Sequence, residues 1–551
     1  VKYETGGPKR FDHQRRGLRK LIDTHGVTAL LFDPGLGKTA TVLDYLGLLA
    51  IKAAPTSDGV REVRCLVVCP LAAVDTWVIQ ARTFMSPMVN FWVEALGGTL
   101  LKRAEAMAAR GGQPYKRPLA PPPKRRLNHH PRALHHDRAI AWDARTRPGE
   151  RATAISSSEG PDGLGPVTPR VVIEVVNVDT FQYRTRVGSK TMADIMVDAV
   201  KRLAPELVVV DESHRIKSPS GHASKLLSRL TPFVPRRVIL TGTVMPHSPI
   251  DVFAQWRFMD PYAFGDKDAS GNLRQATLGG FTGRYAVLGG WQGREVIGYR
   301  NLDEMQSIMR LNAVVARKAD ALDLPKTMDA VVPVELSAEE KRAYAEMKAS
   351  LAVQLSNGAL VTTGNRLTQM LRLRQITTGY LVDDNGVTTT LGNSKVRTIK
   401  SLVEDTLAGE KRIVVFALFV WEIQALAKAL AVAGTEVMVI GGGTKGQDRM
   451  AMRRRFGSDD PARIVMIAQV RTMSLAVNEL VTASHAIFGS LSQLRDDFEQ
   501  AKARLDRQGQ TKPVTFWIAC APGTVDEVIL RVHQQRGDLE SAVLAHIRGE
   551  G

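Results

Sequence analysis

Three cysteines in 551 residues are too few for a disulfide framework. Cys65 and Cys69 lie four apart on an apolar run, where small thiols serve as core residues. A reducing cytoplasm fits that usage. No apolar run reaches the length of about 18 residues that marks a membrane-crossing helix, so no membrane partner is expected. The opening "VKYETGGPKRFDHQ" has no secretory leader pattern, and none is expected. No short internal repeat is visible. The paired histidines His129, His130, His135 and His136 have no cysteine near them and no helix to fix them, so a metal is not expected there. Acidic side chains are also in deficit: 56 Asp and Glu face 74 Lys and Arg, a net charge of +18. That excess suggests a polyanionic partner, with nucleic acid the first candidate.

What is present reads as globular protein, with 44% hydrophobic and 24% charged residues. The length allows about three or four domains. Short apolar runs alternate with helical segments, the pattern of a parallel α/β sheet. One set ("TALLF", "CLVVC", "VVIEVVNV", "ELVVV", "RVIL") ends before residue 245, and another ("RIVVF", "EVMVI", "RIVMI", "HAIF", "VTFWIA") begins after residue 410. They predict two α/β lobes, residues 1–247 and 391–551. Between them, 248–390 is expected to be a mostly helical insertion. There "SAEEKRAYAEMKASLAVQL" reads as helix and "TLGGFTGRYAVLGGWQGREVIGYRN" as glycine-rich loop or short strands. A second addition, 101–170, holds fourteen Lys/Arg against six Asp/Glu, with Tyr115 and Trp142 its only aromatic residues. It can bury little and is expected to be a flexible loop.

The stretch "LLFDPGLGKTAT" carries the first chemistry. "ALLF" reads as a buried strand, and Val42, Leu43, Leu46, Leu49 and Ala50 repeat at helical spacing. The residues Pro34, Gly35, Leu36, Gly37, Lys38 and Thr39 therefore span a strand-to-helix turn, where backbone N–H groups and the helix N-terminus face an anion. Lys38 would reach the β and γ phosphates, and the Thr39 hydroxyl would bind Mg²⁺. The full phosphate-loop pattern asks for glycine where Phe32 stands, so a plain glycine turn with a solvated lysine is the alternative. "ELVVVDESHRIKS" places Asp211 and Glu212 at the end of a continuously apolar strand, where ligands sit in open α/β sheets. Asp211 could hold Mg²⁺ and Glu212 could deprotonate an attacking water. A phosphate cradle with an Asp-Glu strand end makes a nucleotide hydrolase.

Further segments follow in order: "FDHQRRGLRKL" with Gln14, "CLVVCPLAAVDTW" with Pro70 and Trp77, "DESH", "LTGTVMP", "RKADALDLPK", "LRLRQITTGYL" and "QAKARLDRQGQ". In order and wording the chain resembles the Swi/Snf-like branch of superfamily 2 DNA helicases and translocases, over roughly residues 11–97 and 171–535. "DPGLGKT" is similar to that branch's "DEMGLGKT", which also lacks the outermost glycine. "GYRNLDEM" has the flavour of its phage and bacterial members. The resemblance implies two RecA-like lobes with ATP and Mg²⁺ in the cleft between them. It implies adenine recognition by Gln14. It also implies coupling of hydrolysis to movement through His214, Thr241, Gly242, Thr243, Asn478 and Gln500. Arg504 and Arg507, on a segment that also carries Gln510, would be arginine fingers, three apart on one helix face. One departure stands out. In "RTMSLAVNELVTAS", Ser474, Ala476 and an extra Glu479 replace the glycines and spacing of the family's coupling loop.

The expected function is an ATP-dependent translocase on DNA, with duplex favoured, acting as a monomer. A strand-separating helicase is one rival, and a DNA-binding scaffold with little ATPase activity is another. No nuclease, methyltransferase or chromatin-reading segment is evident. The basic stretch 101–170 is expected to gather DNA as a tether.

Overall fold

The computed structural model describes residues 3–54, 61–97, 100–110, 169–181, 186–187, 190–246, 248–289, 295–321, 325–356, 363–382, 386–431, 434–444, 446–470, 478–507 and 509–535. Nineteen strands are present among them: β1 (Val27–Phe32), β2 (Glu62–Cys69), β3 (Asn90–Ala95), β4 (Arg170–Asn177), β5 (Arg186–Val187), β6 (Lys190–Thr191), β7 (Leu207–Asp211), β8 (Arg236–Leu240), β9 (Ala286–Gly289), β10 (Glu295–Tyr299), β11 (Ala313–Ala316), β12 (Thr327–Pro333), β13 (Tyr380–Val382), β14 (Thr388–Thr390), β15 (Arg412–Ala417), β16 (Thr435–Ile440), β17 (Arg463–Gln469), β18 (His485–Phe488) and β19 (Val514–Cys520). Two sheets dominate. The first has the order β11-β1-β8-β7-β2-β4-β3 and the second β12-β19-β18-β15-β17-β16. Every strand pair within them is parallel. The expected pair of α/β lobes is present.

The apolar runs are long because both faces of each sheet are covered by helices. Side chains alternate between two cores, as the two-residue period requires. Ala29, Leu31, Val208 and Val210 enter one core, while Leu30, Phe32, Leu207 and Val209 enter the other. In the second lobe Val414 and Phe416 face one core, and Ile413, Val415 and Ala417 the opposite one. Cys65 and Cys69 are free and fully buried, as expected of small core residues.

The stretch 248–390 is not one insertion between the lobes. Its first part, after the hairpin β9–β10, returns to the first sheet as the edge strand β11, with Phe32 level with Ala316. β12 then opens the second sheet beside β19, with Val331 level with Ile518. Both are edge strands that expose Val315, Met328 and Val331, so neither shows the continuous apolar run of a central strand. The helices Ala338–Ser356 and Thr363–Thr377 add Tyr344, Leu351, Met370, Leu373 and Ile376 to the core that holds Val414 and Phe416. They belong to the second lobe.

The basic stretch is also divided. Its first residues form the helix Leu100–Arg110, which buries Ala104 and Met107, three apart on one face, in the first lobe's core. Residues 111–168, with the four paired histidines, lie outside the described residues. Among the described residues no helix is long and apolar enough to cross a membrane.

Candidate nucleotide site

Three adjacent strands, β1, β8 and β7, end side by side at the carboxyl edge of the first sheet. Leu30 is level with Leu240, and Leu240 with Asp211. Each strand delivers one part of the site. From β1 the chain turns through Asp33–Gly37 into the helix Lys38–Lys52. Gly35 and Gly37 adopt φ of 89° and 79°, a region that costs other residues about 1–2 kcal/mol. Gly37 has a second constraint, because a Cβ there would lie 2.0 Å from Gln14 Nε2. The Gln14 amide donates to Leu36 O at 3.1 Å and accepts from Phe11 N at 3.0 Å. His13 Nε2 lies 2.8 Å from the same Leu36 carbonyl. Gln14 thus sits directly on the phosphate loop and holds its shape. His13, its neighbour, shares that work and was not singled out by the sequence.

Lys38 Nζ donates to Phe32 O at 2.8 Å, so the lysine spans the two ends of the loop. Phe32 fills a place where the general pattern has glycine because its ring points into the core, with Gly17 leaving room: a Cβ on Gly17 would lie 2.9 Å from Phe32 Cζ. Thr39 is half-buried in the first turn of the helix, beside Lys38.

β7 supplies the carboxylates. Asp211 Oδ1 accepts from Glu212 N at 2.9 Å, and Oδ2 accepts from the Trp77 indole at 2.8 Å. Burial and then the charge of Glu212 push the Asp211 carboxyl up to about 6, while Lys38 and Trp77 oppose the shift. Trp77 was legible only as part of a motif; its bond to Asp211 gives it a task. Glu212 has φ of 50°, uncommon for a side chain of its size and a small store of strain at the site.

β8 supplies the Thr241–Thr243 segment. Thr241 donates to Thr243 O at 3.0 Å and accepts from Thr243 N at 3.0 Å. His214 Nδ1 lies 3.3 Å from Thr241 Oγ1 and 3.4 Å from Glu212 Oε2. Because the Thr241 proton is already given to Thr243 O, the His214 ring must donate from Nδ1. Burial pushes His214 down to about 4, so the ring is neutral near pH 7. A Cβ on Gly242 would lie 3.0 Å from Pro34 Cδ, which puts this segment against the phosphate loop. Glu212, His214, Thr241, Gly242, Thr243 and Pro34 therefore form one contiguous path.

The second lobe faces this edge. Gln500 is half-buried on the helix Arg495–Lys502, but that helix ends before the arginines. Arg504 and Arg507 do not share a helix face; they lie on successive turns, with Arg504 N donating to Ala501 O and Arg507 N to Leu505 O. Leu505, fully buried between them, anchors the turns in the core. Arg507 comes over the phosphate loop: its Cβ is 3.4 Å from where a Cβ on Gly35 would be. Burial and then Arg507 push Arg504 down to about 10, while Glu212 and Asp211 oppose this across the cleft. Both arginines stay charged near pH 7. Gln510 fixes the turn from behind, donating to Val481 O at 3.1 Å and Ala483 O at 2.9 Å.

Asn478 opens a short turn, Asn478–Thr482, and residues 471–477 of the divergent coupling loop lie outside the described residues. The extra Glu479 has a partner: it accepts from Arg453 Nε at 3.0 Å and Nη2 at 3.3 Å. Arg453 is nearly buried, and its charge acts on both Arg504 and Arg507. Glu479 balances that charge beneath the arginine turn.

Among the described residues no group of three or more His, Cys, Asp or Glu could by itself hold a metal.

A model of the SNF2-related domain matches residues 13–379. The mouse (Mus musculus) DNA annealing helicase and endonuclease ZRANB3 is 24% identical over 365 residues, which cover 64% of this chain and 31% of that protein. The uncharacterized ATP-dependent helicase MG018 of Mycoplasma genitalium is 23% identical over 343 residues, 61% of this chain and 30% of that one. The SWI/SNF-related matrix-associated actin-dependent regulator of chromatin subfamily A-like protein 1 of Drosophila melanogaster is 23% identical over 386 residues, 69% and 47% of the two chains. The chain thus spans between about a third and a half of the length of these relatives. Among solved structures, the Sulfolobus solfataricus SWI2/SNF2 ATPase core in complex with dsDNA aligns over 100% of this chain and 95% of its own, with a TM-score of 0.35 and 16% identity.

Proposed function

Since the chain belongs to the SNF2-related domain family, we propose that it is a DNA-dependent ATPase that couples hydrolysis to movement along duplex DNA. The observation that carries the reading is the convergence of four parts on one cleft. These are the phosphate loop at Gly35–Thr39, the Asp211–Glu212 strand end, the Thr241–Thr243 segment and the second lobe's Arg504–Arg507 turns.

In this reading ATP phosphates lie on the loop backbone, and Lys38 leaves Phe32 O for the β and γ phosphates. Gln14 stands beside the loop at the adenine side. Thr39 and Asp211 would hold Mg²⁺, whose contribution is to neutralise phosphate charge. Glu212 takes the proton of the attacking water. Arg504 and Arg507 neutralise charge that develops on the γ-phosphate, a contribution of about 10³–10⁵ in rate in related chemistry. Departure of the cleaved phosphate removes that charge and loosens the second lobe, and the Glu212–His214–Thr241 path passes the change toward the DNA. DNA would cross the face of both lobes through phosphate contacts, consistent with the net charge of +18. The family's known relatives include a DNA annealing helicase and chromatin regulators, which supports DNA as the partner.

A monomer, a cytoplasmic setting and a phage or bacterial source belong to the same proposal. The last rests on "GYRNLDEM" alone. The test is an ATPase assay with single-stranded DNA, duplex DNA and RNA as activators. Stimulation greatest with duplex DNA is expected. Stimulation by RNA alone, or none by any polymer, would contradict the reading.

A further inference from the structure

The chain segment that joins the two sheets runs through the candidate site. β11 ends at Ala316 and β12 begins at Thr327, so the chain passes from the first sheet to the second in the connection between them, a pivot if the lobes rock. Lys318 stands near its start and is held at both ends. Its backbone N–H donates to Asp33 Oδ2 at 2.9 Å. Its ammonium donates to Asp506 Oδ2 at 3.0 Å and also to the Asp506 main-chain carbonyl. Asp33 is the first residue of the phosphate loop; its own N–H donates to Ala316 O at 3.0 Å, and its carbonyl accepts from Leu36 N. Asp506 lies between the two arginines of the second lobe. The Lys318 and Asp506 side chains are only 17% and 24% exposed, so the pair is shielded more than a surface ion pair.

We propose that Lys318 is a positioning residue, a clasp on the pivot that sets the register of the arginine turn against the phosphate loop. A contact on the pivot moves least when two lobes rock, so it can persist through a cycle in which outer contacts break. Its main chain fixes the phosphate loop through Asp33, and its side chain fixes the arginine turn through Asp506. The facing charges are Asp33, Asp506 and Arg507, and burial pushes the Lys318 ammonium down while the two carboxylates oppose this. Lys318 itself need not touch the nucleotide; it acts through Arg507, whose Cβ is in van der Waals reach of the Gly35 position. No motif reading of "RKADALDLPK" distinguishes Lys318 from its neighbours, because its partner lies 188 residues away.

The inference rests on the nucleotide-hydrolysing reading, and its test separates the two. Lys318→Met and Asp506→Asn are each expected to lower kcat for ATP by about 10- to 100-fold, the scale of an ångström of misplacement. KM for ATP should stay within about threefold, since ground-state binding is not the interaction removed. The double variant should be no slower than either single one, the mark of two residues acting as a pair. Lys318→Arg should recover most of the rate. A second readout needs no catalysis. Spin labels at Arg19→Cys and Lys428→Cys, both exposed and on opposite lobes, report the interlobe distance, and the native cysteines are buried. The distance distribution should broaden in Lys318→Met and Asp506→Asn and stay narrow in Lys318→Arg. Unchanged kcat, multiplying effects in the double variant, or an unbroadened distribution would each overturn the clasp. A parent protein that hydrolyses no ATP overturns the hydrolase reading instead, and the label distances still decide the clasp.

Discussion

Replacing Trp77 by Phe removes one hydrogen bond at the site and keeps most of the buried ring. The indole donates to Asp211 Oδ2 at 2.8 Å, and Trp77 is 1% exposed. A bond to an ionised group is worth about 1.5–3 kcal/mol and one to a neutral group about 1 kcal/mol. The difference, about 1–2 kcal/mol, corresponds to a rise of about one unit in the Asp211 pKa. The sign follows from linkage. The folded-state value of about 6 lies above the ordinary 3.8, so ionised Asp211 is a net cost. Stability attributable to this group falls as pH rises from about 3.8 to about 6, then levels off. Trp77→Phe raises the folded value further, so its extra cost appears only above about pH 6. Chemical denaturation of parent and variant at pH 5 and pH 8, without nucleotide or Mg²⁺, isolates the effect. The cavity left by the smaller ring weighs equally at both pH values and cancels. The destabilisation should be larger at pH 8 by about 1–2 kcal/mol. An equal loss at both pH values would refute the idea that Trp77 supports the ionised carboxylate.

Glu212→Gln should still bind a fluorescent ATP analogue while hydrolysis falls by about 10²–10⁴, the range of a lost general base; parent-rate turnover would remove Glu212 from that role. Arg507→Ala should lower kcat by about 10³ or more with nearly intact ATP affinity. If Arg504→Ala and Arg507→Ala both hydrolyse ATP at the parent rate, the two-lobed cleft is not the catalytic unit. Glu479→Gln removes one carboxylate charge from beside the nearly buried Arg453, at a cost of about 1–3 kcal/mol. Its denaturation midpoint should drop and DNA-stimulated turnover should fall more than basal turnover. Equal falls would make Glu479 a purely structural residue.

Much of the first lobe was legible because its central strands are buried on both faces. "TALLF", "CLVVC", "ELVVV" and "RVIL" appear as β1, β2, β7 and β8, and the glycines of the phosphate loop take the positive φ values that such a turn needs. Of the four edge strands in the two large sheets only β16 was legible, as "EVMVI". β3, β11 and β12 each face solvent on one side, and Trp92, Val315 and Met328 are exposed where a central strand would bury them. Those missing edges are why 248–390 read as an insertion when it closes one sheet and opens the next. The site was legible where one motif holds both partners, as with Asp211 and Glu212. It was not where partners are distant in sequence: Trp77 with Asp211, Arg453 with Glu479, Lys318 with Asp506. The arginine pair shows a third limit. Spacing of three suited a helix, but the helix stops at Lys502 and both arginines lie on the turns that follow.

The central claim is that ATP hydrolysis in this cleft drives movement along duplex DNA, and displacement of a third strand from a triplex tests it most directly. A short third strand placed on otherwise blunt duplex DNA is released by a motor that tracks the duplex, without any need to separate the duplex itself. Parent protein with ATP is expected to displace it, with no release in Glu212→Gln or with a non-hydrolysable analogue. Full duplex-stimulated ATP hydrolysis with the third strand still in place would contradict the account.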